Sequence, residues 1–287
     1  MPKPLFVVGK HRSGTTWLGN LLLEHPQIAG VQHEDHRGIH ESAFFSHVSG
    51  RYGDLNKFAN FVEFAAAVSR SDYFRLLGVS FEDLIELYPA SYAEVFRTVM
   101  GRFAVDEDAV YWIEKSPMHT HQIRQIGRTY SDARFVGMWR DPVDTAFSWL
   151  QLHNVESGLQ RLMGLAHVTI DKYVADAHML KMREEWPDRV CVTQYSELVE
   201  EKNSVLERIC RFLGIPYVEV QSQYASNTSY QGERQREMPP AYEKKFVRWL
   251  YYYSLRVLPP EGLRVLKLAL RRRRRETLPD WFFQFLR

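Results

Sequence analysis

Nine residues, Gly9 to Trp17 (GKHRSGTTW), constrain this chain more than any other stretch of it. Before them runs the apolar string Leu5-Phe6-Val7-Val8. After them Trp17, Leu18, Leu21 and Leu22 recur at helical spacing until His25-Pro26. An unbroken apolar run ended by glycine reads as a parallel strand buried on both faces. Gly9 and Gly14 let the backbone turn so that its N–H groups converge, and the positive end of the following helix aims at the same point. Lys10, His11 and Arg12 add side-chain donors, and Ser13, Thr15 and Thr16 add hydroxyls. The junction is an anion cradle on a strand–loop–helix frame. It departs from the ATP or GTP loop GxxxxGK[ST], because Thr15 stands where the phosphate-binding lysine belongs.

The rest of the chain continues the alternation. Ile28–Val31, Val110–Ile113, Arg134–Trp139 and Val190–Thr193 read as further strands. Helical spacing covers much of 54–100, with breaks near Gly78 and Pro89, then His119–Tyr130, Ile170–Trp186 and Ser204–Leu213. Asp141-Pro142 opens another helix, an N-cap followed by proline at the first helical position. Alternating strands and helices predict an α/β fold, a parallel sheet of about five strands with helices on both faces. Residues 32–53 are polar and aperiodic, a site-bearing loop. Residues 1–240 form one domain with a helical insert over 54–104, and 241–287 form a C-terminal helical extension. The insert is rich in Phe and Tyr, most of it expected in the core and the remainder on the wall of an acceptor pocket. With 45% hydrophobic and 25% charged residues, the 287-residue chain is globular rather than disordered. Two cysteines, Cys191 and Cys210, exclude a disulfide framework.

The cradle resembles the phosphosulfate loop of the sulfotransferases that use 3′-phosphoadenosine 5′-phosphosulfate (PAPS). Their pattern [KR]-S-G-T-T is met from Arg12 to Thr16, followed by Trp17. A second string, ARFVGMWRDPVDTAFSW (Ala133 to Trp149), matches the family's R-[DN]-P with a serine eight residues after the arginine. The resemblance implies a three-layer P-loop-like fold. It implies that Lys10, Arg12, Ser13, Gly14, Thr15 and Thr16 hold the 5′-phosphosulfate, that Trp17 beside them also binds the cofactor, and that Arg140 and Ser148 clamp its 3′-phosphate. VCVTQYSELV (Val190 to Val199) resembles the family's strand-then-Y-x-x-L segment, with Tyr195 near the adenosine. WIEKSPMH (Trp112 to His119) resembles the W-x-x-K-[TS]-P segment of bacterial and tyrosylprotein branches, where Lys115 matches a lysine beside the bridging oxygen. Away from the resemblance, Lys115 could instead pair with Glu114 on a surface turn. Asn227-Thr228-Ser229 is a weaker match to the cofactor's lid.

Sulfuryl transfer builds charge on the sulfuryl and leaving oxygens, which fixed cations stabilise; Arg12 and Lys115 match those roles, with Lys10 a further candidate. The acceptor needs a general base, and the loop after the second strand offers His33, Glu34, Asp35, His36, His40 and Glu41. HESAFF (His40 to Phe45) resembles the heparan-type glutamate followed closely by Phe-Phe, so Glu41 ranks first. Glu34, just past the second strand as in the tyrosylprotein branch, ranks second, and His119 third. The histidines show no regular ligand spacing, so no metal is expected; PAPS is the co-substrate and PAP the product.

Residues 241–287 carry 12 Lys/Arg against 4 Asp/Glu, a balance of +8, so the first 240 carry −6 of the net +2. Arg271–Arg275 beside Trp281, Phe282, Phe283, Phe285 and Leu286 would suit peripheral contact with an anionic membrane, or simply a solvated face of helices packed on the acidic body. No signal-peptide core or spanning segment is legible, which reads as a cytoplasmic protein acting on a small-molecule, carbohydrate or lipid acceptor and not on nucleic acid. Two rival readings are an ATP-dependent phosphotransferase and a non-catalytic module that binds PAP or membranes.

Overall fold

Alternation along one strand builds two cores. In the computed structural model, which describes residues 1–33, 38–153, 158–220, 239–257, 259 and 262, strand β1 (Lys3–Gly9) sends Phe6 and Val8 to one side and Leu5 and Val7 to the other. Strands β2 (Ile28–Gly30), β5 (Tyr111–Lys115), β6 (Arg134–Trp139) and β7 (Val190–Gln194) join it in one sheet of order β2-β5-β1-β6-β7. Every pairing in that sheet is parallel. The two-residue strands β3 (Gln32–His33) and β4 (Gly38–Ile39) pair antiparallel as a separate hairpin.

Helix α1 (Thr15–Leu23) and helix α10 (Lys202–Leu213) cover the Leu5/Val7 face through Leu18, Leu21, Val205 and Ile209. The Phe6/Val8 face is covered by α6 (Ile123–Thr129), α8 (Gly158–Glu185) and the insert, α2 (Phe58–Val68), α3 (Asp72–Leu76), α4 (Phe81–Ile85) and α5 (Tyr92–Asp106). The result is the expected three-layer α/β fold. The chain leaves β1 toward β2 and β5, then crosses to β6 and β7 on the other side. This reversal falls at β1, and open α/β sheets bind ligands at the carboxyl ends of strands beside such a point.

The insert serves the core more than a pocket. Phe61, Phe64, Tyr73, Phe74 and Phe96 are at most 2% exposed, and Phe96 stacks on Phe44 with ring centroids 4.6 Å apart. Its two predicted breaks, Gly78 and Pro89, separate α3 from α4 and α4 from α5. Serines 80 and 91 open α4 and α5 with reciprocal capping boxes.

Other predicted elements shift for identifiable reasons. The helix read over His119–Tyr130 is a 3-10 turn, Pro117–Gln122, followed by α6; His119 and Thr120 there bond to neighbouring segments. Helix α8 starts twelve residues before the predicted Ile170. Leu159 and Met163 in its first turns are exposed, so no one-sided apolar stripe marks that end in the sequence. The extension opens with helix α11 (Ala241–Trp249). There Val247 packs among Phe147, Leu150 and Leu165, and buried Glu243 receives Arg161 at 2.7 and 3.0 Å. Arg271–Arg275, the aromatics from Trp281 onward and Asn227–Ser229 lie outside the described residues. No helix among the described residues is long and apolar enough to cross a membrane.

Candidate active site

The cradle forms where β1 ends. Gly9 adopts φ 151°, and a Cβ there would lie 2.7 Å from the Met138 carbonyl oxygen, so only glycine allows β1 and β6 to run this close. Its N–H donates to Thr120 Oγ1 at 2.7 Å. Gly14 (φ 95°) is the N-cap of α1, and a Cβ on it would come within 2.5 Å of the Tyr195 ring. No side chain caps this helix, which leaves its first N–H groups available to an anion. The Ser13 hydroxyl is fully buried and bonds to nothing among the described residues.

Arg140 follows the last residue of β6 and lies against the same loop. Its Nη1 donates to the Arg12 carbonyl at 3.0 Å, its guanidinium carbon sits 4.2 Å from the centroid of the Tyr195 ring, and its buried Nε has no partner among the described residues. Asp141 is occupied separately, accepting the N–H groups of Val143 and Asp144 to open α7 (Pro142–Leu152). Ser148, on α7, accepts Arg12 Nε at 3.2 Å. Tyr195 opens α9 (Tyr195–Glu200) and is braced edge-on by Trp17, whose indole belongs to the Leu5/Val7 core.

Lys115 ends β5. It is 2% exposed, and its Nζ donates to Glu41 Oε1 at 2.6 Å and Thr16 Oγ1 at 3.2 Å. The pairing with Glu114 that the sequence left open does not occur, because consecutive strand residues point to opposite faces. Glu114 instead meets Ser42, Ser116 and His119. Burial would raise the Glu41 carboxyl, but the charge and hydrogen bond of Lys115, joined by His11, together hold the group below the usual carboxylate range. Its side chain stays 35% exposed, open to a solute. His119 does not qualify as a base: it is fully buried, with Nδ1 on Glu114 and Nε2 on the Phe45 N–H. Glu34, Asp35 and His36 lie outside the described residues.

A family model described as the sulfotransferase family matches residues 4–219. This chain belongs to that family. Its chemistry is sulfuryl transfer. Solved structures show the same fold: a sulfotransferase domain from the Synechococcus PCC 7002 olefin synthase (18% identity, TM-score 0.52, covering 97% of this chain and 96% of that one), a sulfotransferase domain from the curacin biosynthetic pathway (17%, 0.51, 85% and 82%), and a sulfotransferase from Alicyclobacillus acidocaldarius (18%, 0.50, 98% and 98%). No curated protein sequence matches the chain.

In this sulfotransferase two cradle residues have partners that the sequence did not indicate. Lys10 donates to Asp171 Oδ2 of α8 at 2.5 Å, while His121 holds the other oxygen at 3.1 Å. Arg12, read as a sulfuryl-end cation, directs Nε to Ser148 on the Arg140 side and takes a left-handed backbone, φ 71°. Asp171 was missed. The signal was a carboxylate on the apolar stripe of a helix, with Val168, Val174, Ala175 and Met179 as buried companions. Among the described residues no group of three or more His, Cys, Asp or Glu is placed to hold a metal ion.

His11 supplies a pH prediction. Its imidazole is pulled from 6.5 to about 3 by burial, which outweighs the opposing pull of Glu41 and is reinforced by Lys10 and Lys115. The unfolded chain therefore takes up this proton near 6.5 while the folded chain refuses it until about 3. Stability attached to this ring is complete above that window and falls as pH drops through it. Between about pH 7 and about pH 5, His11→Asn should lose less melting temperature than the parent. Equal losses in thermal denaturation would mean the folded ring is already protonated.

Proposed function

We propose that this sulfotransferase moves a sulfuryl group from PAPS to a hydroxyl or amine of a small-molecule, carbohydrate or lipid acceptor. The observation that carries this reading is convergence. Glu41 and Thr16, from two separate segments, both lie within 3.2 Å of Lys115 Nζ from a third, and the loop that leads into Thr16 is joined to Arg140 through the Arg12 carbonyl. The residues present fit a doubly phosphorylated nucleotide. Buried polar atoms in native proteins are normally satisfied, and here Ser13 Oγ, in the loop, and Arg140 Nε, of a guanidinium bonded to that loop, are two buried polar atoms without partners among the described residues. The uncapped start of α1 adds backbone donors of the kind that bind phosphate.

In this reading Ser13, Gly14, Thr15 and Thr16 hold the 5′-phosphosulfate, and Arg140 and Ser148 hold the 3′-phosphate. Tyr195 flanks the adenosine. Arg12 bridges the two ends, since its backbone belongs to the cradle and its guanidinium to Ser148. Glu41, ionised at neutral pH because Lys115 faces it, accepts the proton of the acceptor as the acceptor oxygen or nitrogen bonds to sulfur. The bond from sulfur to the bridging oxygen breaks, and Lys115 offsets the charge left on that oxygen. Lys10 acts at one remove, its ammonium already paired with Asp171.

The test is transfer of label. Incubation with ³⁵S-labelled PAPS and cell extract should yield a labelled product and PAP, with no matching transfer from γ-³²P-ATP and Mg²⁺. Phosphate label without sulfur label would overturn the reading in favour of a phosphotransferase, and neither label in favour of a binding module.

A further inference from the structure

The segment carrying Glu41 is held by one buried polar unit rooted next to Lys115. Four successive backbone N–H groups, those of residues 42–45, are all taken up by it. Ser42 donates to Glu114 Oε1 at 3.2 Å, Ala43 to Ser116 Oγ at 2.9 Å, Phe44 to Ser42 Oγ at 3.2 Å, and Phe45 to His119 Nε2 at 3.1 Å. Glu114 organises the set. Its Oε1 accepts the hydroxyls of Ser42 (2.7 Å) and Ser116 (2.5 Å), and its Oε2 lies 2.7 Å from His119 Nδ1. Because both hydroxyls give their protons to Glu114, their lone pairs are free to receive the Ala43 and Phe44 amides. Because Nε2 receives the Phe45 amide, the His119 proton sits on Nδ1 and points at Glu114. Each orientation depends on position 114 accepting and never donating. Ala43 holds a left-handed backbone, φ 47°, a conformation that a non-glycine residue keeps only with outside support.

We propose that Glu114, with Ser116 and His119, is a positioning unit that sets the Glu41 carboxylate against Lys115 from the neighbouring residue of the same strand. This rests on the reading of Glu41 as the base. The unit touches neither nucleotide nor acceptor; it acts through residues 42–45. A glutamine at 114 keeps the volume but turns an NH2 toward donors, so the strap loses its anchor while the cradle does not.

The experiment compares Glu114→Gln, Glu41→Gln and the double variant by initial rate of ³⁵S transfer from PAPS into cell extract, by PAP affinity, and by hydrogen exchange. Glu114→Gln should lower the rate about 10²-fold, the scale of a misplaced reacting group, with PAP affinity unchanged within about twofold and faster exchange confined to amides 42–45. In the Glu41→Gln background the same change should lower the rate no further, since it acts only through Glu41. Ser116→Ala, a smaller perturbation, should show the same pattern more weakly. An unaltered rate in Glu114→Gln, or equal losses in both backgrounds, overturns the positioning role. Full turnover in Glu41→Gln alone overturns the base assignment instead, and the positioning role with it. Unchanged exchange at 42–45 in both variants refutes the anchoring without reference to turnover.

Discussion

Glu41→Gln should cut turnover by about 10²–10⁴-fold, the range general-base catalysis supplies, while PAP binding stays at or above its parental strength. The substitution keeps the side chain's size and removes its charge. The lost partner is an ammonium 2.6 Å away, so Lys115 becomes more available to a bound phosphate rather than less. Stability should fall as well, because the change leaves the buried Lys115 ammonium, 2% exposed, without its charged partner. Initial-rate measurement with labelled PAPS, paired with calorimetric titration of PAP, separates the two effects. Near-parental turnover would remove Glu41 from the chemistry and return attention to the carboxylates at 34 and 35.

Arg140→Ala should weaken PAP by about 30- to 3,000-fold, the equivalent of truncating one member of a buried charged pair, and weaken adenosine 5′-phosphate far less. The guanidinium stacks on Tyr195, bonds the Arg12 carbonyl and keeps a buried Nε in reserve. A 3′-phosphate would complete its hydrogen bonding in a way a nucleotide without one cannot. Ser148→Ala should shift the ratio of the two affinities in the same direction by a smaller factor, since a neutral hydroxyl is lost rather than a charge. Equal weakening of both nucleotides would place Arg140 in the architecture of the loop and not in recognition of the 3′ end.

Much of the candidate site was legible because its polar and cationic residues are concentrated in short strings at strand ends. The cradle from Gly9 to Thr16, Arg140 after β6, Lys115 at the end of β5 and Tyr195 after β7 each stand one residue or a few from a carboxyl-terminal strand edge, and in a parallel sheet these edges share one side. Knowing the strands was enough to bring the strings together. Glu41 was harder. It lies in an aperiodic loop with several competing carboxylates and histidines, and nothing in the local pattern says which of them faces Lys115. Asp171 was not found at all, and Glu114 was read only as an alternative partner of Lys115 on a surface turn. A buried carboxylate is recognisable in a sequence only by its misfit with an apolar face, and its partners, Lys10 and His121 for one, Ser42 and His119 for the other, lie up to 161 residues away.

By itself the amino-acid order determined the frame: a central strand whose alternate residues feed two cores, a glycine-bounded turn that aims backbone donors at an anion, and a lysine missing from the place where ATP enzymes need it. Tertiary structure alone decided the pairings within that frame. Lys115 turns to Glu41 and not to adjacent Glu114, Lys10 is held by Asp171, and Arg12 reaches across to Ser148. The physical reason is the same each time. Neighbours along a strand face opposite ways, and a buried charge is tolerated only where packing delivers a counterpart from a distant segment.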